Sequence, residues 1–322
     1  MEYRELGRTG WEVSAVGLGT WAMGSSWGAV DDRESLATLN RALDLGVNFF
    51  DTADVYGSEP LLGELRRQRS EPFYIATKLG VRINPDPKAY TRENMTRFTE
   101  ESLRNLGVET VDLVQLHVPP IEVYNSETFG FLDDLVAQGK IRHYGVSVET
   151  IEQALKAIEF PGVQSVQIIF NIFRQRPAED FFPEARRRGV GIIARVPLAS
   201  GLLTGKMSPE TTFAPDDHRS YNREGESFDR GETFSGVDFE TGLEAVDELR
   251  AVVPRGATMA QMALRWILMF DDVTCAIAGA RRPGQAEDNI SAADLPPLSA
   301  ATMTQIRAIY DRHVRPQVHH LW

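Results

Sequence analysis

The stretch Val47-Asn48-Phe49-Phe50-Asp51-Thr52-Ala53-Asp54-Val55-Tyr56-Gly57-Ser58-Glu59 opens as a β-branched and aromatic run and continues into a polar segment carrying a carboxylate and a phenol. A short apolar run of this kind reads as a buried strand, which puts Asp51 at its C-terminal tip and Tyr56 in the loop beyond. Two later runs end the same way. Residues 73–77 lead into Lys78, and residues 111–116 lead into His117. Asp51, Tyr56, Lys78 and His117 are therefore expected together, as a proton-handling set on successive strand tips.

Working outward, strand candidates fall at residues 16–20, 47–50, 73–77, 111–116, 141–146, 165–169, 192–196 and 274–277. Between them lie helical patterns at 33–45, 60–67, 91–106, 126–137, 151–158, 178–188 and 259–270, with apolar residues at three-to-four spacing, as in Phe98, Leu103 and Leu106. Eight strands alternating with helices predict an α/β fold, a parallel sheet closed as a (β/α)8 TIM barrel, with chemistry at the strands' C-terminal ends. The whole chain, 1–322, is read as one domain. An open dinucleotide-binding sheet is the runner-up, but the first strand's Gly17-Leu18-Gly19-Thr20-Trp21-Ala22-Met23-Gly24 lacks the G-x-G-x-x-G spacing such a sheet carries there. Residues 206–240, polar and rich in Gly, Asp, Arg and Ser, are too long for a routine connection and read as a functional loop after the seventh strand. A polar N-terminal stretch with a turn at Arg8-Thr9-Gly10 precedes the first strand.

The 322 residues suit one large barrel core, and 42% hydrophobic with 25% charged residues is ordinary for a soluble protein. A net charge of -12 opposes nucleic acid and anionic lipid, so neither is expected as a partner. Arg186-Arg187-Arg188, the densest basic run, follows an apolar helical stretch and reads as its solvated last turn. Cys275 is the only cysteine, so no disulfide within the chain and no thiolate metal site is expected. No metal is expected at all. The N-terminus lacks the apolar core of a signal peptide, and no apolar run approaches the ~18 residues of a membrane span, so a cytoplasmic location is expected.

Carbonyl reduction needs a proton at oxygen as hydride reaches carbon, and a tyrosine can deliver it if its pKa is lowered by a neighbouring ammonium. An aspartate fixes that ammonium, and a histidine orients the substrate oxygen. Singly, Asp51 could be a helix cap, Tyr56 a core aromatic, Lys78 a surface charge and His117 a buried structural histidine. Their joint placement on three strand tips favours the chemical reading.

These residues closely resemble the aldo-keto reductases over essentially the whole chain, in a bacterial-type form similar to the branch that includes the potassium-channel β-subunits. Asp51-Thr52-Ala53 with Tyr56-Gly57 resembles the family signature, Lys78 its Thr-Lys motif and Leu116-His117 its Leu/Ile-His motif. The resemblance implies Tyr56 as proton donor, Lys78 and Asp51 as its tuners, and His117 as the group that orients the carbonyl. It also implies a nicotinamide cofactor, NADP(H) before NAD(H), across the barrel mouth. Gly19, Thr20 and Trp21 border it. Gly145-Val146-Ser147 resembles the family's Gly-Val-Ser-Asn strand, and Gln167 its carboxamide-binding glutamine. Pro197-Leu198-Ala199-Ser200-Gly201-Leu202-Leu203-Thr204-Gly205-Lys206 resembles the pyrophosphate loop, with Arg219 further along the same segment. Gly279, Arg281, Gln285, Asp288 and Asn289 match the segment at the adenosine end, where a cation such as Arg281 or Arg282 selects the 2′-phosphate.

Some positions depart from the family pattern. Val148 stands where many members have asparagine, and Arg195 where many have an aromatic ring under the nicotinamide. The planar guanidinium of Arg195 is expected to stack on that ring instead. Gly279 and Gln285 occupy positions that are basic in some NADP-specific branches. Trp21, Met23 and Trp27 in the first loop, the loop after Lys206 and the C-terminal residues 315–322 are candidates to line the mouth, with Trp21, Trp27, Tyr56 and His117 as the expected substrate contacts. The leading expectation is an NADP(H)-dependent reductase of a small-molecule carbonyl. A Schiff-base aldolase using Lys78 and a cofactor-binding regulatory subunit are the alternatives.

Overall fold

A polypeptide that alternates buried strands with amphipathic helices closes its sheet when the first strand can pair with the last. The computed structural model, which describes residues 1–24, 31–81 and 86–322, shows this closure. After a hairpin of β1 (Tyr3–Glu5) and β2 (Glu12–Ser14), the barrel strands are β3 (Val16–Gly19), β4 (Phe49–Asp51), β5 (Tyr74–Leu79), β6 (Val111–His117), β7 (Ile141–Ser147), β8 (Val163–Ile169), β9 (Gly191–Arg195) and β10 (Val273–Gly279). They run in the order β10-β3-β4-β5-β6-β7-β8-β9, with β10 pairing parallel to both β3 and β9. The expected (β/α)8 barrel is the observed one. Trp27 lies outside the described residues.

The helices around it are α1 (Asp32–Asp44), α2 (Glu59–Gln68), α3 (Arg92–Leu106), α4 (Ser126–Ala137), α5 (Ile151–Ala157), α6 (Pro177–Asp180), α7 (Phe182–Arg188), α8 (His218–Tyr221), α9 (Phe239–Arg250), α10 (Met259–Leu268), α11 (Pro283–Ile290), α12 (Ala300–Ile309) and α13 (Arg315–Val318). Local chemistry sets their ends. Thr91 caps α3 through Asn94 N, and Gly107 ends it in the left-handed conformation.

Three details correct the sequence reading. The helix expected at 178–188 is broken at Phe181 into α6 and α7, where Pro183 cannot supply the N–H that a continuous helix needs. The polar N-terminus is a hairpin whose Leu6, Trp11 and Val13 are buried with Phe49, Leu113, Ile193 and Cys275, so it plugs the end of the barrel opposite the strand tips. Four helices, α8, α9, α12 and α13, went unrecognised, and α9 begins at the very end of the expected 206–240 loop. Arg186, Arg187 and Arg188 do form α7's last turn at the surface, as expected, where they pair with Glu184 and Asp272.

Period-two alternation distributes the side chains. Phe50, Ile75, Val114, Val146 and Ile168 point outward into the large core beneath the helices. Phe49, Ala76, Leu113 and Ile193 point inward near the plugged end. One pleat further along, the inner positions become Asp51, Lys78, Gln115, Ser147, Gln167 and Arg195, all buried, with His117 half-buried at the tip of β6. The barrel interior is thus apolar at its base and polar at its mouth.

Candidate active site

The centre of this polar layer is an ion pair. Lys78 Nζ donates to Asp51 Oδ1 at 2.5 Å and to the Thr52 carbonyl at 2.9 Å, with both side chains nearly inaccessible to water. The second carboxylate oxygen accepts from Gln167 Nε2 at 2.7 Å and, more weakly, from Gln115 Nε2 at 3.4 Å. Asp51 is therefore the hub that ties β4, β5, β6 and β8 together. Burial lowers the pKa of Lys78, and the Asp51 carboxylate opposes that shift.

Tyr56 hangs over this pair from the loop after β4, with Lys78 Nζ 5.0 Å from its ring centroid and the His117 ring edge-on at 5.8 Å. Its loop is fastened by a buried set of hydroxyls, in which Ser58 Oγ lies 2.8 Å from both Thr20 Oγ1 and Thr52 Oγ1. Gly24 supports it from the first loop. A Cβ there would lie 1.7 Å from the Tyr56 carbonyl oxygen, so no other residue fits without moving the phenol.

The expected lowering of the tyrosine pKa is not what this geometry produces. Loss of hydration pushes the Tyr56 phenol well above its ordinary range, and the carboxylates of Asp51 and Glu232 add to this while Arg195 opposes it. The consequence is a phenol that stays protonated throughout the physiological range. His117 is pushed the other way: burial, helped by the cations of Lys78 and Arg195, holds its imidazole well below the usual range, so it is neutral. Its Nδ1 is buried without a hydrogen-bond partner, while its backbone carbonyl accepts from Tyr90.

Around this centre the structure sorts the remaining candidates. Ser147 Oγ lies 3.5 Å from Gln167 Oε1 at the paired tips of β7 and β8, an acceptor beside a hydroxyl that suits an amide. Val148 is buried in the core, so only its carbonyl is at hand. The segment after β9 holds Val196, Ala199, Ser200, Gly201 and Gly205 at positive φ, and the amides of Ala199, Gly201, Leu203 and Gly205 donate to carbonyls within the segment, which fixes its tight winding. Arg219 lies against it, with Nη1 3.4 Å from the Ser200 carbonyl, while its other nitrogens bind Asp217. Lys206 is exposed. Gly19 and Gly279 face each other across the seam of the barrel, and a Cβ on Gly279 would meet nothing nearer than 3.9 Å, so the backbone is open to close approach there. A long ligand with an amide at one end and phosphates further out fits this layout.

Other expected cofactor contacts are already engaged in the fold. Thr20 Oγ1 donates to the Asp51 carbonyl. Asp288 accepts from Gln261, and the amide of Asn289 donates to the Gly279 carbonyl, so these two secure α11. Gln285 folds back to accept from Arg281 N. Arg282 is largely exposed and paired with Glu34 at 3.6 Å. Arg195 does not lie bare: its guanidinium pairs with Glu232 and donates to the Val148 carbonyl at 2.9 Å.

Sequence reasoning missed Gln115 on β6, which donates to Asp51, and His218, Phe228 and Glu232 of the long loop. Trp21 stacks toward Tyr56 at 6.1 Å and packs on His218 and Phe228, both from the long loop, so that loop reaches the roof over Tyr56. Glu232 comes from the same loop. Nothing in the spacing of His218, Phe228 or Glu232 marks them, because the loop has no period to read. The C-terminal Trp322 does not face the reacting groups either: it packs on Arg174 at 3.6 Å and donates to Asp229, securing the loop from outside.

Glu149, just beyond β7, is pushed up to about 8, first by burial and then by Asp229 and Glu232. Its folded pKa lies above its unfolded value, so the contribution to stability is present at low pH and is lost as the pH rises from the ordinary glutamate range through about 8. Glu149→Gln is expected to flatten that decline by a contribution on the order of a few kcal/mol. Chemical denaturation of both proteins across that window checks it, and parallel curves would remove the assignment.

Among the described residues, no helix is long and apolar enough to cross a membrane, and no group of three or more His, Cys, Asp or Glu side chains is placed to hold a metal ion.

The family model for the aldo/keto reductase family matches residues 15–311. Aldo-keto reductase YhdN of Bacillus subtilis (strain 168) is 34% identical over 298 residues, covering 89% of this chain and 87% of that protein. L-glyceraldehyde 3-phosphate reductase of Escherichia coli (strain K12) is 32% identical, covering all of this chain and 95% of that one. Among solved structures, the glycerol dehydrogenase AKR11B4 from Gluconobacter oxydans superposes with a TM-score of 0.80 at 32% identity, covering 97% of this chain and 96% of that one. The closed parallel barrel is a TIM barrel, and the matches place it among the oxidoreductases. The chain belongs to the aldo/keto reductase family.

Proposed function

We propose that the chain reduces an aldehyde or ketone to the alcohol, using NADPH and Tyr56 as general acid. The observation that carries this reading is the buried Asp51–Lys78 pair set beneath a protonated Tyr56 and beside a neutral His117. When bound, the reduced nicotinamide supplies hydride to the carbonyl carbon. Tyr56 gives its proton to the carbonyl oxygen and is left a phenolate beside the Lys78 ammonium, to be reprotonated from water. His117, being neutral, donates a hydrogen bond that orients the substrate oxygen without competing for the proton. Ser147 and Gln167 suit the carboxamide, the segment 197–206 with Arg219 the pyrophosphate, and the open Gly19–Gly279 seam the adenosine end.

Lys78 held by Asp51 is a poor nucleophile, so borohydride is expected to trap no substrate adduct on the protein. The test of the main reading is NADPH oxidation against a panel of aldehydes, ketones, keto-sugars and quinones. Two relatives are named for three-carbon hydroxylated compounds, so glyceraldehyde and dihydroxyacetone head the panel. Tight NADPH binding with negligible turnover across it would favour the regulatory-subunit reading.

The adenosine end gives a separate prediction. Arg282 is solvated and paired with Glu34, so Arg282→Ala should leave both cofactors unaffected. Arg281→Ala should weaken NADPH and spare NADH, by at least ~1 kcal/mol if it makes a charge-assisted contact to the 2′-phosphate. Equal loss for both cofactors, measured by fluorescence titration, would place Arg281 on the pyrophosphate.

A further inference from the structure

Arg195 is the inner-face residue at the tip of β9, and its guanidinium crosses the end of β8 to reach the Val148 carbonyl just beyond β7. It therefore lies across the mouth, over the Gln167 and Asp51 layer, 7% exposed and with Nε unpartnered. Tyr56, Lys78 and His117 all feel its charge. A bare cation at this spot would repel any positively charged ring brought to the mouth. Glu232 prevents that. It pairs with Arg195 from the return limb of the long loop, and the limb is secured by Ser200 Oγ donating to the Glu232 carbonyl at 2.8 Å and Asn171 Nδ2 donating to Ser235 Oγ at 2.8 Å.

Of the other charged groups near Arg195, Lys78 is already matched by Asp51 and Arg174 is a second cation. Glu149 faces it too, but with its pKa pushed up to about 8 it is mainly neutral near pH 7. Glu232 is the carboxylate that cancels Arg195. Resting on the nicotinamide reading above, we infer that Glu232 is a positioning residue that sets how strongly the site prefers the reduced over the oxidised cofactor, by masking the Arg195 charge from the ring. The reduced ring is neutral and the oxidised ring is positive, so the mask acts on one state only. A ring-stacking aromatic needs no such partner. The ion pair does, and it links the cofactor's oxidation state to the position of the long loop.

The test is a set of titrations with NADPH and NADP⁺ on the wild type, Glu232→Gln, Glu232→Asp and the double variant Arg195→Gln/Glu232→Gln. Glu232→Gln is expected to move the affinity ratio toward NADPH by at least about tenfold, because an uncancelled cation then faces the oxidised ring. Glu232→Asp should recover most of the wild-type ratio, and the double variant, with neither charge, should return to it. An unchanged ratio in Glu232→Gln, or equal weakening of both cofactors, overturns the inference and leaves Glu232 as a loop fastener. If Glu232→Gln does not fold, Arg195→Gln decides it, since the Glu232 carboxylate left uncancelled should move the ratio toward NADP⁺, and an unchanged ratio overturns the inference. Failure of the wild type to bind either cofactor is a different outcome, and it would overturn the functional reading itself.

Discussion

Replacing Tyr56 by phenylalanine is expected to lower carbonyl reduction by roughly 10²–10⁴-fold, the usual contribution of a positioned general acid. Only one hydroxyl is removed. The loop is held by Ser58 with Thr20 and Thr52, and by the close approach of Gly24, none of which involves the phenol oxygen. NADPH affinity should therefore change little, and kcat should carry the loss. Turnover near the wild-type rate with a matched substrate would rule out Tyr56 as the donor and direct attention to His117.

Lys78→Met is the second large effect, and it should strike both activity and stability. The phenolate left after proton transfer loses the cation beside it, so reduction should fall by a factor comparable to Tyr56→Phe. Asp51 then remains buried without its counter-charge, and breaking such a pair typically costs about 3–5 kcal/mol. Its hydrogen bonds from Gln167 and Gln115 survive and limit the damage. Asp51→Asn should impair turnover less, because Lys78 keeps its bond to the Thr52 carbonyl and its place near Tyr56. Thermal unfolding alongside kcat measurements separates the two effects. A larger kinetic loss from Asp51→Asn than from Lys78→Met would reverse the roles assigned to them.

Much of the barrel was legible in the chain because each of its strands is a short apolar run between polar breaks. The runs entering Asp51, Lys78 and His117 carried the site with them, since a residue that ends a buried parallel strand has only the mouth to face. The hairpin of β1 and β2 was not legible. Each strand has three residues and acquires its meaning only by burying Leu6, Trp11 and Val13 beneath the barrel. The break between α6 and α7 was marked by Pro183, but an apolar period runs straight through it. Tyr56 shows the opposite difficulty. Its position was readable, yet the direction of its pKa was not, because burial outweighs the opposing charge of Arg195 and burial is a property of the folded chain.

The sequence by itself determined the alternation of strands and helices, the barrel this implies, and the Asp51, Tyr56, Lys78 and His117 set at its mouth. Those features are encoded by local period and by residues next to one another in the chain. Only the tertiary structure decided that Gln167 holds Asp51, that Trp21 meets His218 and Phe228 over Tyr56, and that Arg195 is cancelled by Glu232. Such pairings join residues far apart in the chain, several through an aperiodic loop. Their partners are chosen by which groups the closed barrel removes from water together, and no local pattern records that choice.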